Sequence, residues 1–360
     1  MKFEVFQSEI EINIELQRYW NACDVADQDI HLNPGYLHLL RSEFQERHVL
    51  LVTSMLGMKA FQVLNIRKIP ASTSSDAISP YGFGKIGVLN SKTSYVNPLF
   101  NAHFANSLAF LCQNNYASEV MLLNPCLNLM LIESLYKDFE LVGTKPVVVL
   151  KTNVSDVERI SKYSRGHKSS LNRARRLGVQ VIDANLEDKS QIDIFKELHR
   201  ETMDRSGASI RWRFGESFFF TAVERIGVEN CKIFHAKVGE DVAASHFVLL
   251  SGRTMYYFFG GSNREFNSYR PSCILVDEIC KWGNANGFDQ YVLGGGVTDA
   301  HDDTLLQFKS GFTNNLSEMK ILGRIGSPDT YKLLMNSFSK KDSVMLSEKK
   351  FPIYRFGELK

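Results

Sequence analysis

Short apolar runs and helically spaced apolar residues follow one another along the chain, and the changes of period mark its elements. Phe3 to Phe6 reads as a strand, followed by helical segments over Glu9 to Ala22 and Gly35 to Phe44. His48 to Ser54 and Lys59 to Ile66 are β-rich and separated by Gly57, the pattern of a hairpin. Residues 70 to 84, rich in Pro, Ser and Gly, are expected as a surface loop, with Ile86 to Leu89 a strand beyond it. Phe100, Phe104, Leu108 and Leu111 recur at helical spacing. Val120 to Leu123 reads as a strand, Leu127 to Tyr136 as a helix, and Phe139 to Val142 and Val147 to Leu150 as two closing strands.

Ser155 and Glu158, at capping-box spacing, open a long basic segment that runs to Leu177 and ends at Gly178. The order of elements then repeats. Val179 to Ile182 is a strand, Ser190 with Asp193 caps a helix that continues past His199, and Phe214 to Ile226 is a second helix. Lys232 to Val238, Val242 to Leu250 and Thr254 to Phe259 form a meander with tight turns at Gly239 and Gly252. A helix with Leu275, Ile279 and Trp282 on one face stops at Asn286-Gly287, Phe288 to Leu293 is a strand, a helix carries Phe308 and Lys309, and Glu318 to Leu322 is the last strand. This order is α+β, with one parallel pairing required in each half. It predicts domains over residues 1–153 and 154–330 and a peripheral tail over 331–360.

Composition narrows the function. With 360 residues, 44% hydrophobic and 23% charged, the chain is long enough for two cores and is expected to be globular. No apolar run approaches the ~20 residues of a membrane helix. The acidic start MKFEVFQSEIE is unlike a signal peptide, so a cytoplasmic protein without membrane insertion is expected. Six cysteines form no C-x-x-C pair, which argues against a zinc ribbon or redox pair. A formal charge of +2 provides no global field for nucleic acid, so no DNA partner is expected and any polyanion site is local.

The candidate chemistry gathers around Cys273 to Phe312. Gly294 to Gly296 follow a strand directly, where the chain must pass close to something that a Cβ would push away. His246, on the central meander strand, is a candidate proton acceptor for an incoming amine; Asp302 and Asp303 are alternatives, and a helix N-cap also accounts for Asp303. His301 beside two carboxylates does not make a metal site, because adjacent residues rarely converge on one ion. The segment from Arg165 to Arg176 concentrates Arg165, His167, Lys168, Arg173, Arg175 and Arg176, and its polar face suits a diphosphate or nucleic-acid backbone. Arg211 and Arg213 flank Trp212 as a second possible contact. The Tyr81-Gly82-Phe83-Gly84 turn is a candidate lining of an acceptor pocket.

Four motifs in order resemble the Fem-type (FemABX-like) peptidyltransferase family of tandem GNAT acyltransferases. They are Pro80 to Gly84; Arg173-Ala174-Arg175-Arg176-Leu177-Gly178-Val179; the aromatic strand Tyr256 to Ser262; and Tyr291 to Gly296 followed by Phe308-Lys309-Ser310-Gly311-Phe312. The resemblance implies two GNAT-like domains, each a mixed, mainly antiparallel sheet flanked by helices, with the acceptor on the N-terminal side and the donor on the C-terminal side. It implies a gap between splayed strands in which Tyr257, Phe259, Gly294, Gly295 and Phe308 bind the donor and Lys309 faces its carbonyl. The chain has no long helical hairpin insert, and it lacks the Gln/Arg-x-x-Gly-x-Gly/Ala acyl-CoA loop after Phe259. The expected activity is transfer from an acyl-CoA to the amino group of a nucleotide-linked amino sugar for envelope polysaccharide, with no metal. The alternatives are an aminoacyl-tRNA-dependent peptidyltransferase acting on a peptidoglycan precursor, and an inactive tandem fold that only binds.

Overall fold

A computed structural model of the chain describes residues 1–90, 96–126, 135–209, 212–298, 302–338 and 351–355. Two compact units emerge. Unit 1 comprises Met1–Cys23, His31–Lys145 and Glu318–Lys360; unit 2 comprises Asp24–Ile30 and Pro146–Ser317. The segment Asp24–Ile30 belongs with unit 2, and Glu318–Lys360 with unit 1.

The chain opens with β1 (Lys2–Phe6), α1 (Glu9–Ala22) and α2 (Pro34–Phe44). Ser8 caps α1 through the Glu11 N–H, and Asn33 caps α2 ahead of a proline at its first turn. Next come β2 (His48–Met55), β3 (Met58–Lys68), β4 (Ser75–Ile78), β5 (Ile86–Leu89), α3 (Val96–Gln113) and β6 (Tyr116–Leu122). The Pro/Ser/Gly-rich segment expected as a loop therefore contains a strand: β4 pairs antiparallel with β3 and parallel with β6. Residues 127–134 of the expected helix lie outside the described residues. The two closing strands are one, β7 (Glu140–Lys151).

In unit 2 the basic segment is two helices, α4 (Asp156–Ser161) and α5 (Arg165–Arg176), because Ser164 starts a fresh cap on the His167 N–H. β8 (Gln180–Asp183) and α6 (Lys189–Ser206) follow, and Asp188 rather than Ser190 caps α6. α7 (Phe218–Ile226) starts four residues later than its apolar pattern suggests; Phe214 instead stacks on Phe218 with ring centroids 3.8 Å apart. The meander is β9 (Cys231–Val238), β10 (Asp241–Ser251) and β11 (Thr254–Ser262), then α8 (Pro271–Ala285), β12 (Gln290–Gly294) and α9 (Thr304–Ser310). β13 (Ser317–Ile325) and α10 (Pro328–Phe338) return to unit 1, where β13 pairs antiparallel with β6. The C-terminal residues are not peripheral: Tyr354 and Arg355 are buried, and both bond to the Asp76 carboxylate.

The main core of unit 2 packs α5 and α8 on its sheet, with Leu171 and Ala174 of α5 against Ile274, Leu275 and Ile279 of α8. A buried ion pair borders it. Asp277, fully buried on α8, accepts from Arg159 Nε and Nη2 at 3.1 Å, Tyr163 Oη at 2.8 Å and Arg175 Nη2 at 2.8 Å. A buried carboxylate persists only when its desolvation is offset by such partners. On the opposite face α6 lies so close to β11 that a Cβ on Gly261 would stand 2.3 Å from the Leu198 carbonyl carbon.

Replacing Asp277 by Ala leaves two guanidinium groups and a hydroxyl without their acceptor, and a loss of about 3–5 kcal/mol is expected. Urea unfolding measures it; a loss below about 1 kcal/mol would show that water replaces the carboxylate. Gly261→Ala should cost about 1–3 kcal/mol through forced displacement of α6.

Candidate active site

The parallel ladder between β11 and β12 comprises Thr254–Gln290, Met255–Tyr291 and Tyr256–Val292, and ends there. Both strands carry an irregularity at that point. On β11, Val248 of β10 opposes Tyr257 but Phe247 opposes Phe259, so Phe258 is the extra residue of a bulge. On β12 the register to β7 shifts between Val292 and Gly294, and Gly294 takes a φ of +75°. A bulge bends its strand and interrupts pairing. Two of them at one level part the strands, so Tyr257 to Ser262 of β11 have no ladder partner on β12 among the described residues.

Lys309 of α9 occupies this region. Its ammonium donates to the Gly295 carbonyl at 2.9 Å and stands 4.9 Å from the centroid of the Tyr257 ring. The side chain is only 6% exposed, and burial pushes its pKa down to about 8 although Asp303 works to raise it. His246 lies beneath: its ring meets that of Tyr257 edge-on at 4.8 Å, and its Nδ1 is 3.3 Å from Tyr291 Oη. Burial, reinforced by the Lys309 charge, lowers the His246 pKa to about 3, so the imidazole is neutral and weakly basic. A Cβ on Gly260 would come within 2.5 Å of Tyr257 Oη and 3.0 Å of the His246 ring; the glycine makes room for both.

Asp303, expected as an alternative proton acceptor or as a helix N-cap, is engaged as the cap of α9. Its carboxylate accepts from the N–H groups of Leu306, Val297 and Thr298, each at 2.8 Å, and from Thr298 Oγ1 at 3.1 Å. Burial works to raise its pKa, but these bonds outweigh it and hold the group below the usual range.

The other expected residues are dispersed. Phe259 does not face Tyr257; it packs into an aromatic cluster with His199, Phe214 and Phe219. Phe308 and His167 meet at 5.4 Å, and His167 also packs edge-on against Phe312 at 4.5 Å. On α5 three cations are committed internally: Lys168 donates to the Ser161 carbonyl, Arg173 to that of Ser268, and Arg175 to Asp277. Arg165 and Arg176 are exposed, with no hydrogen bond or ion pair among the described residues. Arg213 pairs with Asp204, whereas Arg211 and His301 lie outside the described residues. In unit 1, Tyr81 stacks on Phe44 at 5.3 Å, its N–H donates to Glu46 and its carbonyl accepts from Tyr36 Oη. Gly82, at φ +97°, leaves the space where a Cβ would stand 2.7 Å from His31 Nε2. Sequence reasoning missed Tyr291 and Gly260 as site residues; the Gly260-Gly261 pair after an aromatic strand was the available signal.

Unit 1 repeats the strand arrangement without the gap. β4 and β6 pair in parallel up to Ile78–Val120, the Ser79 N–H then donates to the Val120 carbonyl, and Gly84 bonds to Leu122 and bridges to Leu123. No group of three or more His, Cys, Asp or Glu suited to a metal ion occurs among the described residues, and no described helix is long and apolar enough to cross a membrane.

A domain model described as Acetyltransferase (GNAT) domain matches residues 161–309, all of them in unit 2 and ending at Lys309. The UDP-N-acetylmuramoylpentapeptide-lysine N(6)-alanyltransferase of Weissella viridescens is 25% identical over 175 residues, 48% of this chain and 50% of that protein, so the chain matches about half the length of this curated relative. Among solved structures, FemX superposes with a TM-score of 0.65 at 14% identity, covering 92% of this chain and 99% of that one. The C-terminal domain of a putative lysylphosphatidylglycerol synthetase from Agrobacterium fabrum gives 0.56 at 11%, covering 92% and 97%. These findings overturn the expected acyl-CoA-dependent acylation of an amino sugar, since the curated relative is an alanyltransferase for a peptide lysine and the fold is that of FemX. Residues 161–309 thus carry an acetyltransferase (GNAT) domain, and the chain is similar to the Fem-type alanyltransferase in sequence and to FemX in fold.

Proposed function

We propose that the chain transfers an aminoacyl group from an aminoacyl-tRNA to a side-chain amine of a UDP-linked peptidoglycan precursor peptide, in the cytoplasm. The observation that carries this reading is the nearly buried ammonium of Lys309 at the β11/β12 gap, whose direct partners are a carbonyl and a ring face. In the reaction the amine nitrogen attacks the ester carbonyl, the C–N bond forms, the C–O bond to the tRNA ribose breaks, and the proton lost by the amine ends on the leaving hydroxyl. Negative charge develops on the carbonyl oxygen, where a fixed cation in a water-poor site lowers the barrier. Tyr257, below the ammonium, and the neutral His246–Tyr291 pair fix the floor of the gap. A tRNA donor agrees with the missing acyl-CoA loop and with Arg165 and Arg176, which remain available to phosphates on α5. The Tyr81–Gly82 turn of unit 1, held by Glu46 and Tyr36, is assigned to the acceptor side.

Incubation with alanyl-tRNA and a lysine-containing UDP-muramoyl pentapeptide should yield, by mass spectrometry, a product longer by one amino-acid residue. Product formed from acetyl-CoA without RNA would refute the donor assignment. The rate should fall steeply with salt, because phosphate contacts release counterions. Lys309→Met should lower kcat/KM about 100- to 1,000-fold. Because Lys309 acts protonated while the attacking amine must be neutral, kcat/KM should rise with pH up to about 8 and then level off, and Lys309→Arg should extend the rise beyond that point.

A further inference from the structure

The glycine turn after β12 has little of its own to hold it. Gly294 to Gly296 have no side chains, and the Val297 side chain is 77% exposed. Its anchors come from the two ends of α9. Asp303, at the N-cap, takes the N–H groups of Val297 and Thr298 at 2.8 Å and Thr298 Oγ1 at 3.1 Å, and Lys309 in the last turn takes the Gly295 carbonyl at 2.9 Å. A Cβ on Gly296 would stand 2.4 Å from Asp303 Oδ1, so the backbone lies directly against the carboxylate.

We propose that Asp303 is a positioning residue for the transfer: by fastening Val297 and Thr298 to the start of α9, it fixes the Gly295 carbonyl and through it the place of the Lys309 ammonium at the gap. The claim that this placement serves transfer rests on the function proposed above; the clamp itself does not. The groups that face Lys309 are the Tyr257 ring from β11, the neutral His246 from β10, the Gly295 carbonyl and, on its own helix, Asp303. Asp303 alone among these carries a negative charge.

Asp303→Asn separates positioning from simple helix capping, because asparagine caps helices as well as aspartate does but carries no charge and presents only one acceptor oxygen. The readout is the pH dependence of acylation of the Lys309 amine by a small reagent, followed by peptide mass spectrometry on the whole chain without substrate. The native protein should show a midpoint near 8. In Asp303→Asn the midpoint should fall by about one pH unit as the opposing charge is lost, and transfer should drop about tenfold or more with unchanged thermal unfolding. Thr298→Val, which removes one anchor and no charge, should lower transfer by a smaller factor. If Asp303→Asn leaves both labelling and transfer as in the native protein, or if Asp303→Asn does not fold and Thr298→Val has native labelling and transfer, the proposal is overturned. A shifted labelling curve in a protein that never transfers from alanyl-tRNA would remove the proposed reaction and leave the clamp standing.

Discussion

A parallel ladder that stops after Tyr256–Val292 is the constraint on which the site of unit 2 depends. Sheet hydrogen bonding is cooperative along a strand pair, so parted strands need a local cause that outweighs the lost bonds. Here the cause is paired irregularity: the Phe258 bulge bends β11, and the register shift with the left-handed Gly294 turns β12 away. β12 is not left without support, because β7 pairs with its other edge from Gln290–Lys151 to Gly294–Val148. The gap is thus built into an otherwise bonded sheet.

Buried charge is used in two opposite ways around this gap. Asp277 is surrounded by two guanidinium groups and a phenol, and ties α4 and α5 to α8. Lys309 is also buried, yet its direct partners are a carbonyl and a ring face, neither of which neutralises it. The first arrangement holds the helices in register on the sheet. The second keeps a cation under-compensated, which makes its pKa fall and leaves its field directed at whatever enters the gap. The stability that such a residue forgoes has to come from the surrounding packing, and the core containing Tyr291, Leu293 and Phe312 lies beside it.

Much of the fold was legible in the sequence because most elements are amphipathic over their whole length: the β9–β11 meander and the helices α1, α2 and α8 agree with their patterns to within a few residues. The errors have physical reasons. β4 lies among turn-forming residues and is a strand because β3 and β6 pair with both of its edges. The basic segment splits at Ser164 because a second capping serine interrupts it. At the site, the glycines and Lys309 were identifiable from the motifs, but side-chain direction was not: Phe258 is the extra residue that sends Phe259 into the His199 cluster and leaves Tyr257 below the ammonium. Nor does a run of cations reveal which are committed, since Arg173 and Arg175 have partners far away in sequence, Ser268 and Asp277.

The two units show how one arrangement of strands yields different chemistry. In unit 1 the equivalent parallel pair stays closed: the Ser79 N–H bonds to the Val120 carbonyl, the Ser79 hydroxyl accepts from the Leu122 N–H, and Gly84 bridges to Leu123. In its core Glu119 is held by Arg324 and Gln62, and His103 is placed between Gln62 and Thr53. Repeating the fold therefore does not repeat the arrangement: among the described residues only unit 2 combines an interrupted parallel ladder with a buried cation whose direct partners are a carbonyl and a ring.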